Sequence, residues 1–380
     1  MSKETKIREK KKPLFIEAIS MIVVLLALVI YSVKLDISII PAMMIAIVWS
    51  MVIAYRCGYG WNDIMAPVYE REKGVVEVFF IILLIGAFIS TMMFSGTIPV
   101  IIYYLINVIS PSLMIVLSFL LTAIVSVIIG TSWGTAGTVG VIMLAIAQSM
   151  GVPLPIVAGA VASGSHVGQL CSPMADTSNV AASFADVDTM TMIKRMAYYT
   201  LPVIGIATVL YAVLGFMNGS GSGDMASAQL IHQEIGSVFN TNVLVILPMV
   251  LVFILTFMKK PIVMTLGITS LLGIVFGMIF NGFSFGEGLN ALYSGFTVAG
   301  SAGIAEEGFS DIFLNLCNRG GATSMVSPAI IVIVASMYGT ILMEIKALDV
   351  IAETVFSKVK SRVLLSTSAV VLAGLIVSLT

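Results

Sequence analysis

Residues 130–140, Gly-Thr-Ser-Trp-Gly-Thr-Ala-Gly-Thr-Val-Gly, interrupt a long apolar run with glycines and hydroxyls. A stretch that should form a smooth lipid-facing helix carries four glycines, each lowering helix propensity by roughly 1 kcal/mol relative to alanine. Thr131, Ser132, Thr135 and Thr138 add side-chain oxygens at the same depth. Backbone that unwinds inside a bilayer is tolerated only where it lines a cavity or is buried in protein. Broken helices near the midplane, offering carbonyls and hydroxyls, are how many secondary transporters hold ions. The plainer alternative is close helix packing, because Gly130 and Gly134 also form a small-residue contact motif.

Composition removes most other classes. The chain has 380 residues, 59% hydrophobic and 10% charged, against about 25% charged in ordinary soluble domains. The expected fold class is all-α, a polytopic membrane protein with inverted repeats and broken helices whose first partner is the lipid bilayer. A net charge of −1 leaves no footprint for nucleic acid. Cys57, Cys171 and Cys317 are scattered and imply neither a disulfide framework nor a zinc site. Met1–Lys12 is polar and basic, and the apolar run after it is too long for a signal peptide.

A span needs about 20 mostly apolar residues. The candidates are 14–33, 37–55, 75–95, 111–130, the broken pair 139–150 and 154–170, 197–216, 241–258, 261–281, 324–345 and 361–379. Segments 61–73, 97–110, 286–298 and 346–360 read as interfacial or short helices, and 217–240 and 299–322 as polar loops. Basic residues mark the inner side. Lys3, Lys6, Arg8, Lys10, Lys11 and Lys12 place the N-terminus in the cytoplasm, and Arg56, Arg71, Lys73, Lys194, Arg195, Lys259 and Lys260 agree with alternating spans. Arg319 is the exception and fits a re-entrant segment.

The order of elements is an inverted repeat. Residues 1–13 are the basic tail, 14–216 the first repeat with the broken-helix site, 217–240 an outer linker and 241–380 a second repeat. Sliding by 250 residues sets Gly96–Gly130 on Lys346–Thr380. Thr380 then falls opposite Gly130, so the second repeat is expected to be incomplete, and either a missing C-terminal segment or a homodimer would complete it.

A second polar cluster runs from Ser163 to Asn179 through Gln169, Ser172, Pro173, Asp176, Thr177 and Ser178. Pro173 breaks any helix through it. An ionisable group at membrane depth is a functional hypothesis by default, and oxygen-only ligands suit hard cations such as Na⁺. Burial raises a carboxylate pKa, so Asp176 could carry H⁺ instead, and competition of Na⁺ and H⁺ for it suffices for exchange. The alternative is Asp176 as a helix N-cap. The candidate ion-binding set is Thr131, Ser132, Thr135, Thr138, Gln169, Ser172, Asp176, Thr177, Ser178 and Asn179, with Asp176 as the Na⁺ ligand. Na⁺ and H⁺ are cargo here, and no cofactor is expected.

Gly-Thr-Ser-Trp-Gly-Thr at 130–135, Ser-Pro-Met-Ala-Asp-Thr-Ser-Asn at 172–179 and Arg319-Gly-Gly with Met325 resemble the NhaC-type sodium/proton antiporter family. The resemblance implies Na⁺/H⁺ exchange at a bacterial cytoplasmic membrane, with relatives that exchange malate for lactate or carry amino acids. Relatives usually place an Asp after the Gly preceding the Ser-Pro motif, where this chain has Gln169, and they continue past the point equivalent to Thr380.

Other polar residues read more plainly. Glu17, Glu77 and Glu344 lie near span ends and reach the interface or a polar partner, with a cavity-facing Glu344 as the lesser alternative. His166 is a packing histidine rather than a proton relay, His232 a solvated loop residue, and Glu306, Glu307 and Asp311 a solvated acidic loop. Trp133 packs at the break or walls the site. An enzyme is disfavoured: no HExxH or nucleophile elbow accompanies the Ser, His and Asp residues. No P-loop is present for ATP-driven transport. An inactive fragment, or a subunit that needs a second polypeptide, is the alternative of another class.

Overall fold

The computed structural model describes residues 10–105, 110–130, 132–172, 175, 177–178, 182, 187–219, 225–258 and 260–357. These are helical and turn residues, apart from one isolated antiparallel bridge between Phe296 and Arg319. The chain is an all-α polytopic membrane protein. Five described helices are long and apolar enough to cross a membrane, or six if the pair Gln229–Val238 and Val243–Leu255, bent by 92°, counts as one span.

Contacts divide the chain into two compact units, Met1–Ile82 with Val326–Thr380, and Leu83–Met325. Each draws on both of the halves that the element order defines. In the first unit, α1 (Phe15–Lys34) packs on α2 (Ile40–Arg56). The unit also holds the start of α3 (Trp61–Phe94) and, from the far end of the chain, the elements called α16 (Val326–Glu344) and α17 (Ala347–Ser357) below. Glu17 fixes the start of α1: its carboxylate accepts from the Leu14 N–H at 2.8 Å and pairs with Arg56 at 2.9 Å. The core consists of Ala18, Met21, Leu25, Ala46 and Ile47 against Tyr338, Ile341 and Leu342. Small residues at 18 and 46 let backbones approach where lipid supplies no hydrophobic driving force.

The second unit continues α3 and adds α4 (Thr97–Leu105), α5 (Pro111–Ile129), the single turn α6 (Ser132–Thr135), a π turn at Ala136–Gly140, α7 (Val141–Ser149) and α8 (Leu154–Cys171). Then come α9 (Thr189–Gly219), α10 (Met225–Val238), α11 (Leu247–Phe257), α12 (Ile262–Asn281), α13 (Phe285–Ser294), α14 (Val298–Ala302) and α15 (Asp311–Cys317). Its centre is the packing of α5 on α8, flanked by α9. An aromatic cluster joins Phe94 to Phe283 at 5.1 Å and to Phe296 at 6.4 Å.

Three expectations need correction. Segments 61–73 and 75–95 are one continuous helix of 34 residues, about 50 Å long against a hydrocarbon core of about 30 Å. The polar stretch Glu70–Lys73 does not end it, because backbone hydrogen bonding continues and Lys73 pairs with Glu70 at 2.8 Å. The segment 217–240 is not all linker, since it contains α10, which buries Ile231 and Ile235 one turn apart. The loop 299–322 contains most of α14 and all of α15.

Local geometry recurs between the halves. Gly96 and Lys346 both adopt positive φ, 80° and 58°, at the junctions α3–α4 and α16–α17. The hydrogen bonds around them match at an offset of 250: Gly96 N–H to Met93 O at 2.8 Å and Lys346 N–H to Met343 O at 3.0 Å, then Val100 to Gly96 at 2.8 Å and Val350 to Lys346 at 3.1 Å. A second match joins the α2–α3 and α12–α13 turns. Gly58 and Gly282 have positive φ, and three residues before Asp63 and Glu287 the N–H groups of Gly60 and Ser284 donate to those carboxylates at 2.8 and 2.7 Å.

Candidate ion site

Helix α5 ends because Gly130 turns left-handed, φ 82°, with its N–H on Ser126 O at 2.7 Å. The chain resumes as one α-turn and then a π turn, a geometry that recurs at functional sites. Ser132 and Thr135 on this turn are 6% and 0% exposed, and the turn packs against α8. Thr138 lies in the π turn; Thr131 lies outside the described residues. A Cβ at Gly140 would stand 2.5 Å from Val161 Cγ1. The segment interrupts the helix and also packs closely against α8.

The seam between α5 and α8 is polar and tight. Ser118, Thr122 and Ser126 recur every four residues on one face of α5 and are fully buried. Opposite them lie Gly164 and Gly168, where an added Cβ would stand 2.1 Å from Thr122 Oγ1 and 2.0 Å from Ser126 O. The Ser126 hydroxyl donates to Ser165 O and accepts from the Gly168 N–H at 3.0 Å. This small-residue seam was available in the spacing of Ser118, Thr122, Ser126, Gly164 and Gly168, the motif that brings membrane helices into contact.

The seam leads to the end of α8. Buried Ser172 closes the helix, its N–H on Gly168 O at 2.9 Å. The carbonyl of Gln169 accepts from Thr177 Oγ1 at 3.0 Å and Ser178 Oγ at 2.8 Å. A hydroxyl that donates its only proton to a carbonyl keeps its lone pairs for another partner. Gln169, Leu170, Thr177, Ser178, Met192 and Met196 line a cavity of about 330 Å³. The structure thus brings Gln169, Thr177 and Ser178 together one turn from Ser172. Asp176, Asn179 and Pro173 lie outside the described residues. His166 is exposed, with Nδ1 2.8 Å from Ala162 O. Among the described residues no cluster of His, Cys, Asp and Glu could hold a metal.

A second interrupted segment, short helices joined by left-handed glycines, lies at 295–325. Gly320 and Gly321 adopt φ of 84° and 85° and press onto α3, where a Cβ at Gly320 would meet Ser90 N at 2.6 Å. The Gly321 N–H donates to Gly86 O at 2.8 Å and the Phe296 N–H to Arg319 O at 3.2 Å. The Arg319 guanidinium donates to Asn315 O and to Gln148 Oε1 on α7. Glu234 on α10 is buried and accepts from Ser310 N–H at 2.6 Å and its hydroxyl at 2.7 Å. His232 is not a solvated loop residue: it sits on α10, stacked on Tyr103 with centroids 3.7 Å apart, because the helix turns that face toward α4. Glu306 accepts from Asn318 Nδ2 at 2.9 Å. Sequence spacing gives no signal for these partners.

A model described as the Na⁺/H⁺ antiporter family matches residues 5–178 and 167–380. The chain belongs to this family. Among similar proteins, a malate-2H⁺/Na⁺-lactate antiporter of Bacillus subtilis is 32% identical over 371 residues, 97% of this chain and 77% of that protein. An uncharacterised Na⁺/H⁺ antiporter of Haemophilus influenzae is 31% identical, over 92% of this chain and 75% of that protein. An arginine/ornithine antiporter of Halobacterium salinarum is 30% identical, over 81% of this chain and 62% of that protein. No solved structure matches. Family membership makes the chain a secondary transporter, and the two family matches overlap on residues 167–178, at the end of α8.

Proposed function

We propose that this chain exchanges Na⁺ for H⁺ across a bacterial cytoplasmic membrane, with its N-terminus in the cytoplasm and Asp176 as the shared carboxylate. The observation that carries the reading is the Gln169 carbonyl, which accepts from both Thr177 and Ser178 at the mouth of a cavity. The two hydroxyls keep oxygen lone pairs and, with the Gln169 amide oxygen, would ligate a hard cation beside Asp176, which precedes them in sequence. Exchange follows from competition: Na⁺ binds the ionised carboxylate and displaces its proton, and a proton arriving from the other side neutralises it and releases Na⁺. In this reading Ser132 and Thr135, and Thr138 by its place in the sequence, add oxygens from the broken segment. Gln169, in place of the family's acidic residue, can ligate through its amide oxygen but cannot take up a proton, so it supplies no second coupled charge.

A second reading is exchange of a small organic anion or amino acid. The cavity's volume of about 330 Å³ and its Leu170, Met192 and Met196 walls suit a carbon skeleton better than a bare ion. Relatives named for malate and lactate, and for arginine and ornithine, favour it too. The test is Na⁺-driven pH change in proteoliposomes of the purified chain, with and without malate, lactate or arginine. Asp176→Asn should abolish flux at wild-type abundance. Full flux in that variant would overturn the assignment; flux only with an organic solute would replace the first reading by the second.

A further inference from the structure

We propose that Arg319 is a positioning residue for the ion site, acting through Gln148 and helix α7. Its side chain is half-buried, and among the described residues it makes no ion pair. Partly buried charges need compensation. Here it comes from the C-terminal ends of two helices. Nε and Nη2 donate to Asn315 O, in the last turn of α15, at 3.2 and 2.8 Å, and Nη2 also donates to Gln148 Oε1, on the penultimate residue of α7. Helix C-termini carry unsatisfied carbonyls and partial negative charge, and a cation there is favoured. The planar guanidinium can bridge two acceptors at once where an ammonium acts as a point charge.

The anchor end is rigid. The Arg319 carbonyl accepts from Phe296 N–H at 3.2 Å and its own N–H donates to Cys317 O at 2.8 Å. The next two residues are glycines with no room for a side chain: a Cβ at Gly320 would strike Ser90 on α3, and one at Gly321 would strike Ser294 and Gly295. The other end is α7, a nine-residue helix that begins where the π turn stops. From Gln148 to Gly140 is about 12 Å of helix, short enough to move as one rod. Fixing its far end fixes the register of the turn that carries Ser132 and Thr135 against α8.

The transport arm of the test rests on the ion-exchange reading above; the labelling arm rests on packing alone. In proteoliposomes, Arg319→Gln should raise the apparent KM for Na⁺ about tenfold, the change expected for one charge-assisted hydrogen bond. Maximal rate and abundance should stay near wild type, and Arg319→Lys should recover part of the affinity. Gln148→Leu should reproduce the effect, and the double variant should be no worse than Arg319→Gln. Separately, Thr135→Cys in a background with Cys57, Cys171 and Cys317 replaced by alanine should react severalfold faster with a maleimide when Arg319 is Gln. An unchanged KM, additive single effects, or equal labelling rates would overturn the proposal. If the wild type shows no Na⁺-dependent proton flux, the exchange reading fails, and the labelling rates still decide the role of Arg319.

Discussion

Gly168→Ala tests whether the α5–α8 seam holds the candidate site in place. The new methyl would begin 2.0 Å from Ser126 O and 2.2 Å from Ser126 C, both backbone atoms that no rotamer change can move. Restoring ordinary contact at 3.4 Å parts the helices locally by about 1.4 Å. Overpacking of this kind costs about 1–3 kcal/mol. Loss of the Gly168 N–H bond to Ser126 Oγ adds about 1 kcal/mol, and the better helix propensity of alanine offsets up to about 1 kcal/mol. The net destabilisation is about 1–3 kcal/mol. Gly159 lies on the same helix with nothing within 4 Å of an added Cβ. Gly159→Ala therefore keeps the propensity gain without the clash, and the difference between the two variants isolates the seam. Heating the detergent-purified variants and following monodispersity by size-exclusion chromatography gives the midpoints. Gly168→Ala should fall below wild type and Gly159→Ala should match or exceed it. Equal midpoints, or a more stable Gly168→Ala, would refute close packing at this seam.

Glu234→Gln should lower thermal stability by about 1.5–3 kcal/mol, because a neutral amide weakens two short bonds from Ser310; melting midpoints check it, and residual flux in the folded fraction should persist. Lys12 is held above its ordinary pKa by the hydrogen bond to the Glu353 carboxylate. That contact contributes fully below the ordinary lysine value and is lost as pH rises through the raised one. The pair is exposed, so Lys12→Gln should lower the midpoint only slightly at neutral pH and low salt. The difference should vanish near 1 M salt, where the Debye length is about 3 Å, and again at pH above the raised lysine value.

Membrane spans were legible because apolar runs of bilayer length have few other uses: α1, α12 and α16 lie within a few residues of their expected limits, and α2 and α5 match theirs as shorter apolar helices. The continuity of α3 was not, because Glu70, Arg71, Glu72 and Lys73 look like a boundary when hydropathy is the only measure. Polar residues mark where a helix leaves lipid, and they do not stop its backbone hydrogen bonds. Hydropathy misses the α5–α8 seam for a related reason: on helices that are apolar all round, hydrophobic periodicity cannot say which face meets a neighbour. Small-residue spacing carries that information instead. The hydroxyls at Thr177 and Ser178 were visible, but not that both would donate to Gln169 O. The bond from Arg319 to Gln148 spans 171 residues of sequence, and neither residue type points to the other.

The matched turns say more about the repeat than residue identities do. Gly58-Tyr-Gly-Trp-Asn-Asp63 and Gly282-Phe-Ser-Phe-Gly-Glu287 both run from a left-handed glycine through an aromatic pair to an acid that accepts from the N-cap N–H. These positions are 224 apart, whereas Gly96 and Lys346 are 250 apart. The offset changes between them, so the second half carries extra chain there. In the first half this interval is the single helix α3, and in the second it is α13, α14, α15, the glycine turn after Arg319, and α16. The counterpart of an unbroken helix has thus been opened and filled by a segment whose glycines rest on α3 and whose arginine reaches α7. Lys346 holds a left-handed φ of 58° that glycine adopts freely, at a cost of roughly 1–2 kcal/mol. The matching hydrogen bonds around Gly96 and Lys346 make that strain part of a junction geometry that both halves share.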